Sequence, residues 1–401
     1  MKRYPLLVLV MILSLQFASA QEIIRRDPII SKMVEEISRD NIEAYIEKLV
    51  SFHTRHNLSV QDDPEIGIGA AWNWVKEEIE QHIPGSGGRL SVEFVNYSVG
   101  GEGQRIDREI ELRNVIATLQ GSDPGDDRIL LMSAHLDNRV EGNYDSTSFA
   151  PGANDDGSGV AAILELIRIM SAHEFPATIK FMILTGEEHG LYGASAMADI
   201  AAEENWNIAA MLNNDMIGNS GSSGTLLNDN MRVRVFSEGV PAYETEEMAR
   251  MRAYTSGEND GKARQLARYI KEVGERYVDQ IDVSLVYRND RFGRGGDHTP
   301  FCRKGFTAVR ICEFNENYNR THTRPGERDG IMYGDLPEGV DYEYVRKNAG
   351  INLATLANLA LSPRQPENTG IVVSGLSNSS TLRWEKPGGG VEPEGYYILM
   401  R

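Results

Sequence analysis

The sequence predicts an α/β domain in which helices cover a mostly parallel sheet, and three observations carry that expectation. Short β-rich runs alternate with amphipathic helical segments along most of the 401 residues. One run, Ile129 to Ala134 (ILLMSA), is continuously apolar, as a strand buried on both faces must be. Polar, turn-rich segments follow several of these runs directly, and open α/β sheets bind ligands outside the carboxyl ends of their strands. No fixed-period repeat points to a solenoid or propeller.

The elements follow in chain order. Lys2 and Arg3, an apolar stretch from Leu6 to Phe17 and the small residues Ala18-Ser19-Ala20 read as a cleaved signal peptide over residues 1–20, so the protein is expected in a secreted or periplasmic space. No cysteine follows the apolar stretch, which argues against a lipid anchor. Residues 29–52 read as a helix in two pieces, with Met33, Val34 and Ile37 on one face and Ile42, Ile46, Leu49 and Val50 on the next. Asp40, with Glu43 three residues on, is the expected N-cap of the second piece. A helix over 69–80, strands over Leu90–Tyr97, Asn114–Leu119 and Ile129–Ala134, a helix over Gly159–Ser171 and a strand over Thr178–Leu184 come next. Then follow a helix over Ala194–Glu204, a strand over Ile208–Leu212, a helix over Ala263–Val278, strands over Val283–Tyr287 and Ala308–Ile311, and a closing helix over Tyr342–Leu361. Pro363, Pro366 and Asn368 mark a linker. The segment 363–401 is expected to be this linker plus short strands resembling the opening of a fibronectin type III sandwich, through Leu382-Arg383-Trp384 and Tyr396-Tyr397-Ile398. Two or three strands are marginal alone, so further chain is expected beyond Arg401.

Composition removes several functional classes. Fifty-nine acidic against 41 basic side chains give a net charge of −18, which repels duplex DNA and anionic membranes. No internal stretch approaches the roughly 20 apolar residues of a membrane span. Two cysteines are too few for a disulfide framework, but an oxidising compartment would allow Cys302 and Cys312 to pair as a local clamp. The acidic excess serves solubility and, at most weakly, favours cationic peptides.

Chemistry gathers at element boundaries. The strand ILLMSA leads into His135-Leu136-Asp137. Pro151 to Gly159 (PGANDDGSG) opens a helix. The strand TIKFMIL leads into Thr185-Gly186-Glu187-Glu188-His189-Gly190, and Met211-Leu212 into Asn213-Asn214-Asp215. Imidazole and carboxylate donors without thiolates suit zinc, and also cobalt or manganese. Several carboxylates in one crevice repel one another unless cations neutralise them. Two divalent ions sharing one carboxylate would meet that demand. Of the adjacent Glu187 and Glu188, one can bind metal while the other accepts a proton from water. In His135-x-Asp137, the aspartate fits the carboxylate that orients a metal-binding histidine.

The motifs AHLDNR, PGANDDGSG, TGEEHGLYGA, NNDMIG and GGDHTPF together resemble the secreted di-zinc aminopeptidases of the leucyl aminopeptidase and glutamate carboxypeptidase type, over roughly Asp40 to Leu361. The resemblance implies a mixed eight-stranded sheet sandwiched by helices, a catalytic domain over 21–362, two zinc ions and peptide substrates. It assigns His135 and Asp215 to one metal, Asp155 as the bridge, Glu187 as general base and Glu188 to the other metal. Its last ligand stands in a Tyr-Asn-x-x-His-Thr context, which matches His322, whereas His298 in the Asp-His-Thr-Pro-Phe segment matches a pocket-wall feature. Arg294 and Asp297 are further pocket-wall candidates. Members of the family usually carry an acidic residue just after that His-Thr. Here Arg324-Pro325-Gly326 precede Glu327, which leaves the partner of His322 open.

The reading that follows is metal-assisted hydrolysis of the N-terminal peptide bond. A carboxypeptidase on the same scaffold is the first rival and would need a basic group such as Arg294 or Arg310. A single-metal glutaminyl cyclase would leave some of the five ligand candidates without a role. A non-catalytic binding module would not need an intact Glu187.

Overall fold

The computed structural model describes residues 24–401, apart from residue 256 and residues 373–374, 376–377, 397 and 399–401. The expected signal segment 1–20 and Tyr397 lie outside the described residues. Eight strands form one sheet: β1 (Leu90–Val99), β2 (Ile110–Leu119), β3 (Arg128–His135), β4 (Thr178–Leu184), β5 (Asn207–Asn214), β6 (Arg232–Phe236), β7 (Asp282–Val286) and β8 (Ala308–Glu313). Their order is β1-β2-β4-β3-β5-β8-β6-β7. The central strands β4, β3, β5 and β8 run parallel, β1, β2 and β4 pair antiparallel, and β6 pairs antiparallel to β8 but parallel to β7. The expected mixed sheet is present.

Helices cover both faces. On one side lie α1 (Pro28–Glu35), α2 (Arg39–Ser51), α3 (Gly67–Glu80), α4 (Gly157–Met170), α7 (Lys262–Tyr277) and α9 (Tyr342–Leu361), which share one apolar core with Leu130, Met132, Ile179, Phe181 and Leu212. On the other, α5 (Tyr192–Glu203) and α8 (His298–Arg303) pack on Leu131, Met182 and Met211. Alternate residues of β3, β4 and β5 thus go to opposite layers, and their continuous apolar runs reflect that demand. The helix α6 (Glu246–Thr255) buries none of its residues.

Three local expectations need correction. The N-cap of α2 is Ser38, not Asp40: Ser38 Oγ accepts from the Asn41 amide at 3.2 Å, and buried Glu165 on α4 takes the Ser38 amide at 2.6 Å. This anchor pulls the helix start back by two residues and leaves Asp40 in the first turn. Cys302 and Cys312 stand as free, buried thiols. Cys302 Sγ reaches the Ala308 carbonyl at the start of β8, at 3.6 Å. Cys312 lies four residues farther along that strand, about 13 Å at ~3.3 Å per residue, and a disulfide needs Cα atoms within about 7 Å. The strand β6 and the helices α6 and α8 were not expected.

After α9, β11 (Glu367–Val372) and β12 (Thr381–Glu385) form a two-stranded hairpin. Leu382 and Trp384 lie on β12 as expected, with the whole strand exposed and Trp384 edge-on to Tyr396 at 5.4 Å between ring centroids. A second small hairpin, β9 (Gly326–Arg328) with β10 (Ile331–Tyr333), follows β8. Among the described residues no helix is long and apolar enough to cross a membrane.

Candidate metal centre

The parallel strands β3, β5 and β8 lie side by side, and their carboxyl ends deliver three charged side chains to one place. His135 is the last residue of β3 and Asp215 follows β5 directly, while Arg310 on β8 pairs in register with Asn213. His135 Nε2 lies 3.2 Å from Asp155 Oδ1 and 3.9 Å from Asp215 Oδ1. Asp155 turns its other oxygen away, and its Oδ2 is 3.0 Å from His322 Nε2, which itself lies 2.9 Å from Glu188 Oε1. Two triads result, a buried one of His135, Asp155 and Asp215 and a second of Asp155, Glu188 and the half-buried His322, whose donor atoms lie within 4.8 Å of one another in each. Asp155 belongs to both.

Donor chemistry tests whether cations fit. Glu188 Oε1 is buried and accepts no hydrogen bond despite the nearby imidazole, so two potential ligands point at a common position without bonding each other. Burial would raise the Asp155 carboxyl, but the flanking imidazoles hold it well below the ordinary range. Burial pushes Glu187 well above that range, and the charges of Asp215, Glu188 and Asp297 push the same way. Such mutual repulsion is what divalent ions relieve. The donor set of both triads fits divalent ions of the zinc type.

The scaffold behind the two triads is largely polar and buried. Arg55 is fully buried and donates to the carbonyls of Leu136, Pro151 and Gly152, each at 2.8 Å. It thereby ties the end of β3 to the turn that carries Asp155. Gly152 has φ +53, and a Cβ there would sit 2.4 Å from Asn138 Nδ2, so this turn admits only glycine. Asp335 accepts from the amides of Asn154 and Asp155, the latter at 2.7 Å, and burial pushes its carboxyl up to about 7. Asp156 caps α4 and accepts the His135 and Met216 amides at 3.1 and 3.2 Å. Gly152 and Asp156 lie in the PGANDDGSG motif without a role of their own there, and the sequence reading misses Arg55 and Asp335.

Asp137 takes a different part from the one expected. His135 Nδ1 is oriented by the Asp137 main-chain carbonyl at 2.9 Å, and the Asp137 carboxylate lies 3.9 Å away. That carboxylate accepts the amides of Gly186, Glu187 and Glu188 at 2.8, 3.2 and 3.1 Å, and Asn57 Nδ2 at 2.7 Å. Asp137 therefore fixes the turn that presents the two glutamates.

Arginines flank each triad. Arg310 Nη2 is 2.9 Å from Asp215 Oδ1 and Nη1 is 2.7 Å from Asp290 Oδ2, all three buried. Its guanidinium is therefore not free to hold a substrate carboxylate. On the other side Arg139 donates to Glu188 Oε2 at 2.9 Å and its Nη2 to His322 Nδ1 at 2.7 Å. A cation at His322 Nε2 requires the proton on Nδ1, so this guanidinium competes with the metal for the imidazole. The position where an acidic partner of His322 was sought is thus occupied by a base.

The remaining candidates separate. Arg294 lines the open cleft of about 760 Å³ that also bears Asp155, Glu187, Glu188, Asp215 and His322. Asp297 and His298 do not line it. Asp297 is buried with neither oxygen hydrogen-bonded, and burial pushes it up to about 7. His298 is buried against the Asn289 carbonyl, with Nε2 at 2.9 Å, and burial pushes it down to about 4. It belongs to neither triad, whereas His322 does.

Residues 114–338 match the model of peptidase family M28, a span that contains every residue of both triads. The chain belongs to peptidase family M28. A protein of Leptosphaeria maculans described as a probable zinc metalloprotease is 43% identical to this M28 chain over 356 residues, 88% of this chain and 82% of the relative. A Pyricularia oryzae protein with the same description is 44% identical over 372 residues, 91% and 73% of the two. Among solved structures, the Legionella pneumophila LapA aminopeptidase superposes with a TM-score of 0.59 at 20% identity, over 85% of this chain and 76% of its own. A Porphyromonas gingivalis glutaminyl cyclase superposes with 0.52 at 17%, over 81% and 99%. At these identities the likeness is one of fold.

Proposed function

We propose that this M28 chain is a zinc-dependent exopeptidase that removes the N-terminal residue of peptides, and that Asp155 would serve two ions in common. The observation that carries the reading is the Asp155 carboxylate, with one oxygen 3.2 Å from His135 Nε2 and the other 3.0 Å from His322 Nε2. His135 and Asp215 would hold one ion, Glu188 and His322 the other. The description of its relatives as zinc metalloproteases supports the metal. Bound zinc would supply Lewis acidity to a water and to the scissile carbonyl. Glu187 lies in the same cleft and in neither triad, so its carboxylate stays free to move protons. It accepts the proton of the attacking water and returns it to the leaving amine. Asp137 holds the Glu187 amide at 3.2 Å and so sets where that carboxylate points. An apolar wall is not needed for this step, but a low-dielectric surround is, and the ligands of both triads are buried or nearly so.

The test compares short peptides having a free amino terminus with their N-acetylated forms, with and without a zinc chelator. Chelator-sensitive release of the first residue from free peptides alone is the expected result. Cleavage of acetylated peptides from their carboxyl end would overturn the aminopeptidase assignment in favour of a carboxypeptidase. We also read residues 1–20 as an export signal, residues 21–362 as the catalytic domain and 363–401 as a linker with the start of a second module. N-terminal sequencing of secreted protein should then begin at Gln21, and an intact Met1 would contradict it.

A further inference from the structure

Five of the residues lining the cleft are arginines, Arg105, Arg139, Arg291, Arg294 and Arg303, in a chain whose net charge is −18. They come from separate parts of the fold: the β1–β2 connection, the loop after β3, the loop before α8 and the last position of α8. Two are committed elsewhere. Arg291 pairs with Glu316 at 2.7 Å, and Arg139 with Glu188 at 2.9 Å. Among the described residues Arg105, Arg294 and Arg303 have no carboxylate within 4 Å. The acidic residues of the same cleft are Asp155, Glu187, Glu188 and Asp215, besides the paired Glu316. Two divalent ions would offset those four charges, which leaves the cleft with a local positive excess in an acidic protein, and Arg105, Arg294 and Arg303 are the guanidinium groups of that excess without a carboxylate partner. Apolar side chains of any size on this wall are few: Leu191, Met216 and Tyr318. Such a wall does not build a pocket for an aliphatic side chain. A guanidinium presents a planar fork of donors that matches a carboxylate, and it is more weakly hydrated than an ammonium.

We infer that this cleft selects peptides carrying a carboxylate close to the scissile bond, received by Arg294 together with Arg105 or Arg303. The inference rests on the peptidase reading and adds the substrate class to it. The carboxylate can come from an acidic side chain or from the free carboxyl end of a short peptide. Net charge would have favoured cationic peptides, but the local field at the cleft decides which substrate approaches.

The experiment measures kcat/KM of the zinc-loaded protein on Glu-Ala-Ala, Leu-Ala-Ala and Lys-Ala-Ala, each with a free and an amidated carboxyl end. Carboxylate-bearing peptides are expected to exceed their neutral counterparts about tenfold, with Lys-Ala-Ala amide slowest, the scale of one charge-assisted contact at a partly exposed site. The preference should shrink as salt is raised to about 0.5 M. If it persists in the amides, the side chain is the source, and if it vanishes in them, the terminal carboxylate is. In Arg294→Gln and in the Arg105→Gln/Arg294→Gln pair, the ratio between charged and neutral substrates should fall stepwise toward one. Equal or better cleavage of the neutral amides, with that ratio unchanged in both variants, would overturn the inference. Should no peptide be hydrolysed, the peptidase reading fails separately. Calorimetric binding of Glu-Ala-Ala against Leu-Ala-Ala amide then still reads the preference, and equal affinities would overturn it.

Discussion

The two halves of the metal centre are made of different material. His135 and Asp215 stand at the ends of neighbouring parallel strands, and Arg310 on the next strand braces Asp215 from behind. Glu188 and His322 are carried by loops, and Arg139 from a third loop reaches both. The His135 side chain is 2% exposed and that of His322 20%. His322 also holds a left-handed backbone, φ +54, which a non-glycine residue adopts only when its surroundings enforce it. The strand-borne half is positioned by sheet hydrogen bonding before any ligand arrives. The loop-borne half depends on contacts between side chains, one of which is a competing cation.

The largest expected effect erases the contrast. Asp155→Asn removes the shared carboxylate, so zinc content should drop at both positions and peptide hydrolysis should fall about 10³-fold or more. Unchanged zinc content with a rate within tenfold of the parent would show that Asp155 is not shared. The next compares the halves by stability, measured by denaturant unfolding of chelated protein. Asp215→Ala strips buried Arg310 of one of its two carboxylates and should cost about 3 kcal/mol or more. His322→Ala, at the open side, should cost about 1 kcal/mol or less. Equal costs would remove the distinction.

A comparable effect separates the two histidines that competed for the last ligand position. His298 is neutral in the folded state, pushed by burial from 6.5 to about 4. Between those values the unfolded chain binds more protons, so stability is full above pH 6.5 and is lost as pH falls toward 4. The contribution is about 3 kcal/mol at ~1.4 kcal/mol per unit. Unfolding curves of His298→Asn should be flatter over that window, and an identical pH slope would place the lost stability elsewhere. The smallest effect tests the competitor. Arg139→Gln frees Glu188 Oε2 and His322 Nδ1, and the weaker of two zinc-binding events should tighten about tenfold by calorimetry. Weaker binding would make Arg139 a support of the site instead.

Much of this arrangement is legible in the sequence because it is local. His135, Asp155, Glu187, Glu188 and Asp215 each follow or open an element whose periodicity is plain, and the parallel strands bring those ends together. The central strands were found because burial on both faces leaves them continuously apolar. The short strand Arg232–Phe236 alternates arginine with apolar residues, and the six-residue helix His298–Arg303 is under two turns, so neither stands out from its surroundings. Apart from His322, which the resemblance places beside Asp155, what escaped is long-range polar pairing. Asp335 meets Asn154 across 181 positions and Arg139 meets His322 across 183, and no short motif records either contact. Asp137 shows the same limit. Its spacing from His135 pointed to the imidazole, but three backbone amides of a turn about 50 residues later offer the carboxylate more hydrogen bonds.

The most direct test of a shared two-ion centre is a zinc titration of the chelated protein followed by calorimetry. Two equivalents per chain are expected, the first tighter and assigned to the strand-borne half by its loss in Asp215→Ala, the second lost in His322→Ala. Saturation at a single equivalent, with both variants still binding it, would contradict the assignment of Asp155 as a bridge.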